Sequence, residues 1–360
     1  MAIPRAYTLF KNKNLLKYRP ITSYSSHPYR KLLNAAARSL NFILENSVTS
    51  HFNLSNICKF KETIKEFNST LSNHDFKYKC LAGDLSNMYT FLDHTSIRKA
   101  ISWLLYDTSK TKRDRKVISV PSSPSDKSLH FGRSTITSEN RFDLTYEDII
   151  KIVNFDLNNS IFTIGSFTGK QTCGIPMGSP LSPALAVIVC AYYEHLIYSK
   201  IKSHGWSNTL IGTRHMDDIL AFVIHDGSAE SIHRANCICD WVQFGYHDLM
   251  VLECENTEFE FKFLSSHVSA ICGSPISIPY YNKNSKSLSH DNSQKFLTFQ
   301  NFGSISPRMQ KISVVISSLY RLDMNCIDTK DLVISVRELF FELSTLHYPP
   351  HVLMEAYIRV

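Results

Sequence analysis

The stretch that decides the reading is Arg214–Asp218, "RHMDD", followed without a break by Ile219–Val223, "ILAFV". Two adjacent carboxylates repel each other, and a strand end backed by an apolar run strips them of water, so the pair is costly unless a cation neutralises it. Upstream, Asn208–His225 reads as two short strands flanking the acids, a hairpin with the carboxylates at its bend. A third acid, Asp84, closes another apolar run, "KYKCLAGD". Three carboxylates at strand ends suit two Mg²⁺ ions, with Mn²⁺ as a substitute, because Mg²⁺ takes one or two carboxylates and completes its octahedron with water and phosphate oxygens. That chemistry is phosphoryl transfer: one ion lowers the pKa of an attacking hydroxyl while the other neutralises a leaving pyrophosphate. As an isolated dipeptide, Asp-Asp is common enough to be a solvated turn, and only its setting gives it weight.

Charge points to an anionic partner. Of the net charge of +7, eight basic residues lie between Met1 and Leu44 (Arg5, Lys11, Lys13, Lys17, Arg19, Arg30, Lys31, Arg38), where there is no Asp or Glu. The rest of the 360 residues therefore sum to about −1. Nucleic acid or nucleotide phosphate is the first expectation, a membrane surface the second. The hydrophobic fraction of 43% is that of a globular chain, and no apolar run approaches the roughly eighteen residues of a membrane span. The nine cysteines include Cys237 and Cys239 with His233 nearby, but no matching second pair, so reduced thiols in an intracellular, soluble protein are the reading.

Organisation follows from patterning. Residues to about 80 are basic at the start and carry a helical repeat in "RKLLNAAARSLNFILENS". Asp93 or Thr95 can cap a helix bearing Ile97, Ala100, Ile101, Leu104 and Leu105 on one face. From about 107 to 143 the composition turns to Ser, Thr, Lys, Arg and Pro, which reads as an exposed insertion inside a domain. Ser182 as N-cap and Pro183 at the first helical position would open a helix apolar enough to be largely buried. After about residue 275, amphipathic segments form a small helical module.

In this order, "LAGDLSNMYT", "QTCGIPMGSPLSP" and "RHMDDIL" resemble the palm motifs of reverse transcriptases, closest to those of Penelope-like elements, relatives of telomerase. "LLKYRPITSYSSHPYRKLL" resembles that family's fingers motif, "FKFLSSHV" its primer-grip hairpin, and "LSTLHYPPHVLMEAYI" its thumb. The resemblance implies an α+β right-hand polymerase fold with fingers over 1–80, palm over 81–275 and a small helical thumb over 276–360. It implies Asp84, Asp217 and Asp218 as catalytic metal ligands, Asp218 the least direct. Tyr89 matches a steric gate against a ribose 2′-hydroxyl, and Arg19 the fingers arginine along the triphosphate, a role suited to a planar donor fork. Lys11 and Lys13 would assist. Gln171, Gly174, Pro176, Met177 and Gly178 would shape the nucleotide site. His215, Met216, Phe263 and Leu264 would meet the primer. The implied partners are an RNA template, a DNA or RNA primer and deoxynucleoside triphosphates, with an endonuclease or host factor supplied in trans.

The sequence also departs from the pattern. His215 stands where the family usually has Tyr, Ser265 where it often has Asp, and Val251 where a lysine is usual, which leaves the acid for pyrophosphate unassigned.

Overall fold

The computed structural model describes residues 3–11, 14–72, 77–107, 116–133, 140–246, 250–254, 260–264, 266–269, 284 and 298–360. The chain divides into two compact units built from alternating segments. The first comprises Met1–Asn53, Asp84–Asn208 and Ile238–Glu253; the second comprises Leu54–Gly83, Thr209–Cys237 and Cys254–Val360. These limits differ from the expected three-part boundaries.

In the first unit, β1 (Arg5–Lys11) and β2 (Asn14–Ser23) pair antiparallel, and β1 joins β7 (Ile161–Ile164) in parallel, giving the sheet order β2-β1-β7-β8 with β8 at Phe167–Lys170. The core is helical. Helix α1 (Arg30–Ser47) and helix α3 (His94–Ser102) pack against α5 (Ser182–Ser203). The run Ala184–Ala191 has no polar face, and it is enclosed on all sides, as its composition required. It is the one helix among the described residues long and apolar enough to cross a membrane, and 67% of its most apolar window is buried in the protein. Its buried Glu194 is satisfied: one oxygen accepts the Phe52 N–H at 2.7 Å, the other the Tyr246 hydroxyl at 3.1 Å. Asp93 caps α3, accepting the Ser96 N–H at 2.8 Å. A Thr145–Asp148 capping box opens α4 (Tyr146–Asn158).

Two expectations need correction here. Ser182 is not a cap: α5 begins at Ser182, Leu181 occupies the N-cap, and the Ser182 hydroxyl is buried without a hydrogen-bond partner among the described residues. Ser179 serves instead, its carbonyl accepting the Ser182 N–H at 3.3 Å and its hydroxyl the Leu181 N–H at 3.3 Å. Nor is the segment about 107–143 exposed throughout. Strand β4 (Val117–Pro121) lies between β5 (His130–Phe131) and β6 (Arg141–Thr145), and Ile118, Ser119 and Val120 are fully buried. Its carbonyls are bound by arginines, one from α1 and one from the stretch itself: Arg38 reaches Pro121 O at 2.6 Å and Ser123 O at 3.1 Å, and Arg141 reaches Ser119 O at 3.1 Å and Ser128 O at 2.6 Å.

In the second unit, helix α2 (Cys58–Ser72) presents Phe60, Ile64, Phe67 and Leu71, the i, i+4, i+7, i+11 spacing of one helical face. That face packs on Tyr78 and Ala82 of β3 (Lys77–Leu85) and on Leu220, Phe222 and Ile224 of β10 (Asp218–His225). Phe67 stacks on Phe222 at 4.5 Å. Each such side chain contributes about 1.5–3 kcal/mol by leaving water. The strand order is β11-β3-β10-β9, with β9 at Leu210–His215 and β11 at Leu252–Cys254; β3 passes into the first unit after Gly83, and Leu252 and Glu253 of β11 also belong to the first unit. Helix α6 (Ala229–Phe244) likewise starts in the second unit and ends in the first. Three C-terminal helices, α7 (Arg308–Asn325), α8 (Thr329–Thr345) and α9 (Pro350–Ile358), close a second core around Ile312, Val315, Leu319, Leu339, Leu343 and Val352, as the amphipathic patterning there predicted.

Candidate active site

Strands β9 and β10 form the expected hairpin, in register His215↔Asp218 and Arg214↔Ile219, so that only Met216 and Asp217 make the loop. Met216 has φ +59°, a left-handed conformation that a side chain rarely adopts and that a two-residue hairpin loop demands at its first position. Arg214 holds it: the fully buried guanidinium donates from Nη1 to Met216 O at 2.9 Å. The Leu54 N–H in turn donates to Arg214 O at 2.8 Å. Behind this tip Ile219–Val223 is buried on both sides, whereas His215, Met216, Asp217 and Asp218 are half-buried and reach solvent. The acids therefore sit at the rim of the core, on the end of a rigid strand.

A second hairpin repeats the device. Strands β12 (Glu260–Phe263) and β13 (Ser266–Ser269) pair with Phe263↔Ser266; Leu264 has φ +51°, and its carbonyl accepts Arg321 Nη2 at 2.8 Å. The expected primer contact of Phe263 is corrected for its side chain, which is 2% exposed and packs on Phe60 at 4.8 Å as part of the core. Leu264 is half-buried, while Ser265 lies outside the described residues.

In the first unit the loop from Gln171 to Pro180 is pinned at several points. Gly174 (φ +72°) donates its N–H to Leu92 O at 2.9 Å, and its carbonyl meets His94 Nε2 at 3.0 Å. A Cβ there would come within 2.6 Å of Tyr89 O, and the Ile175 N–H bonds that same carbonyl at 2.8 Å. The structure thus brings Tyr89 and Gly174 together. Gly178 (φ +125°) lies against β2: an added Cβ would stand 2.2 Å from Thr22 O, and Met177 O accepts the Thr22 N–H at 2.7 Å. Gln171 turns its side chain to Cys173 O at 3.0 Å. Arg19 is exposed on β2 opposite Leu9, Lys13 lies outside the described residues, and Asp84 is exposed next to the end of β3.

The sequence reading missed the group that anchors this loop. Asp156, 4% exposed on α4, accepts the Ser179 hydroxyl at 3.0 Å and the Tyr24 hydroxyl, so one carboxylate ties the residue after β2, α4 and the glycine loop together. Burial pushes its carboxyl up to about 6, and burial with the neighbouring Asp156 raises the Tyr24 phenol. Its signal was present in "IIKIVNFDL": an acid standing on the apolar face set by Ile149, Ile152 and Val153.

For divalent ions the donor set fits in kind: three carboxylates at strand termini, each with access to solvent. No group of three His, Cys, Asp or Glu among the described residues is gathered as for a metal ion; Asp84 belongs to one unit and Asp217 and Asp218 to the other.

Neither protein-family models nor curated proteins match the chain. Among solved structures it is similar to telomerase from Candida albicans in complex with a TWJ fragment of telomeric RNA, at 13% identity and TM-score 0.60, covering 99% of this chain and 57% of that one. It is similar to apo telomerase from Candida tropicalis at 12% identity and TM-score 0.53, covering 98% and 60%. The BmCPV RNA-dependent RNA polymerase at elongation state aligns at 9% identity and TM-score 0.52, covering 96% of this chain and 26% of that one. The chain spans less than two thirds of each neighbour, and at these identities the likeness is one of fold. That fold, with its antiparallel sheets, packed helices and acid-tipped hairpin, is the α+β right-hand fold shared by telomerase and viral RNA polymerases.

Proposed function

We propose that the chain is an RNA-directed DNA polymerase that extends a primer 3′-hydroxyl with deoxynucleoside triphosphates, of the Penelope-like kind. The observation that carries this reading is the hairpin tip: Asp217 and Asp218 held half-exposed on the end of β10, the strand beside β3, which carries Asp84.

Asp84 and Asp217, with Asp218, would hold two Mg²⁺ ions. When bound, these supply activation of the primer hydroxyl and neutralisation of the leaving pyrophosphate. Arg19 would lie along the triphosphate. Gly174 and Gly178, whose missing side chains let the loop pass close to Tyr89 and Thr22, would shape the nucleotide pocket. Tyr89 would exclude the 2′-hydroxyl. His215, Met216 and Leu264 would meet the primer from the two arginine-braced hairpins.

The test is primer extension on an RNA template with Mg²⁺, wild type beside Asp217→Asn. Extension by the wild type alone is expected; no extension by the wild type with any divalent ion ends the catalytic reading and leaves only nucleic-acid binding by a retained fold. Similarity to the BmCPV polymerase favours a second reading, RNA synthesis. Tyr89→Ala separates the two: ribonucleotide use should rise if the ring is the gate, and an unchanged ratio of ribo- to deoxynucleotide incorporation favours the second reading.

A further inference from the structure

The other end of β10 holds a group of cations that the polymerase reading leaves unused. Leu220, Phe222 and Ile224 point into the α2 core, so Ala221, Val223 and His225 point to the opposite face. On β3, Tyr78 and Ala82 join that same core, which puts Lys77 and Lys79 on the face of His225. Lys79 donates to Asn236 Oδ1 of α6, two residues beyond Arg234. Lys77 Nζ lies beside Gly227, 3.8 Å from where a Cβ would stand. Three elements thus place two lysines, an arginine and a histidine around the Asp226–Ser228 turn.

Two observations mark this as more than a solvated face. His225 is 8% exposed, and its Nδ1 has no hydrogen-bond partner among the described residues; neither has the buried Nε of Arg234. A buried polar nitrogen left unpaired costs about 1–3 kcal/mol. The nearby acid, Asp226, is already engaged: its Oδ1 accepts the Ser228 N–H at 2.8 Å and the Ser231 hydroxyl. For the Arg234 Nε–H the missing partner is an acceptor, as it is for His225 Nδ1 once that ring is protonated, and the surrounding charge makes that acceptor an anion.

We propose that Lys77, Lys79, His225 and Arg234 form a binding site for a phosphate group, at the end of the sheet away from Asp217. A phosphate offers several acceptor oxygens, enough for the His225 and Arg234 nitrogens and a lysine at once. The site stands whether or not the chain polymerises. Its phosphate comes from a nucleic-acid backbone or from a free anion. Burial and the two lysines now hold the His225 imidazole below its usual range, with Asp226 opposing. An anion reverses that balance, so binding takes up a proton and tightens as pH falls.

Amine acetylation of the full chain, mapped by mass spectrometry, tests it without divalent ions. Lys77 and Lys79 should be protected by inorganic phosphate, by a short oligouridylate, or by both; protection by the oligonucleotide alone assigns the site to a nucleic-acid backbone, and by phosphate to a free anion. For the protecting probe, the double substitution Lys77→Gln, Lys79→Gln should weaken binding about tenfold or more and reduce the slope of log affinity against log salt by about two. His225→Gln should remove the tightening at low pH. If neither probe protects the lysines, or the double variant binds with unchanged affinity and slope, the proposal is overturned.

Discussion

The two ends of β10 show how one strand can serve opposite charges. At its start Asp217 and Asp218 sit half-exposed at a tight turn; seven residues later His225 is buried among Lys77, Lys79 and Arg234, about 23 Å away at 3.3 Å per residue. Between them Ile219–Ile224 is apolar on both faces. The interior of the strand fixes geometry and leaves chemistry to its ends, where solvent and loops relieve the cost of charge.

Substitutions at each end should separate in kind as well as size. The largest effect is expected from Asp217→Asn, with loss of primer extension by about 10³-fold or more, equivalent to roughly 4 kcal/mol of barrier. Thermal unfolding should barely change, and a comparable loss of extension in Lys77→Gln, Lys79→Gln would erase the contrast between the ends. Next is Arg214→Met, which removes the donor to Met216 O and leaves a strained turn unbraced. A stability loss of about 1–3 kcal/mol by chemical denaturation is expected, with extension falling further than stability alone explains. An unchanged midpoint would show that the turn holds without its arginine.

A smaller effect concerns Asp156. Its folded carboxyl titrates at about 6, above the ordinary range near 3.8, so the folded state binds more protons than the unfolded chain between these values. Stability is therefore expected to fall as pH rises through about 4 to 6, in contrast to a salt-bridged aspartate. Asp156→Asn keeps an acceptor for Ser179 while discarding the buried charge. It should raise Tm at pH 7.5 by a few degrees, the gap closing below pH ~4; a gap independent of pH would move the ionisation elsewhere. Smallest of all, Lys79→Gln alone should alter stability by no more than about 0.5 kcal/mol.

Much of the acid-tipped hairpin was readable because its determinants are local: two acids between apolar runs, and a register that any other turn would break. Asp93 as a cap and the buried α5 were legible for the same reason. What escaped depends on partners distant in sequence. Asp156 is an acid on an apolar helix face until Tyr24 and Ser179, 132 residues away at one side and 23 at the other, give it hydrogen bonds. The burial of β4 needed Arg38, some eighty residues upstream, to satisfy the carbonyls that follow it. Phe263 looked like a contact residue because a hairpin motif carries no sign of which face meets Phe60.

The interleaving of the two units bears on how the chain first acquires its shape. The first unit includes Ile238–Glu253 and the second reaches back to Leu54, so neither exists as one continuous run of residues. On the ribosome, the first unit must wait, with its helical core incomplete, until Glu253 has emerged. A chain whose core stays open for so long exposes apolar surface during synthesis, and co-expressed chaperones should yield more of this one in usable form.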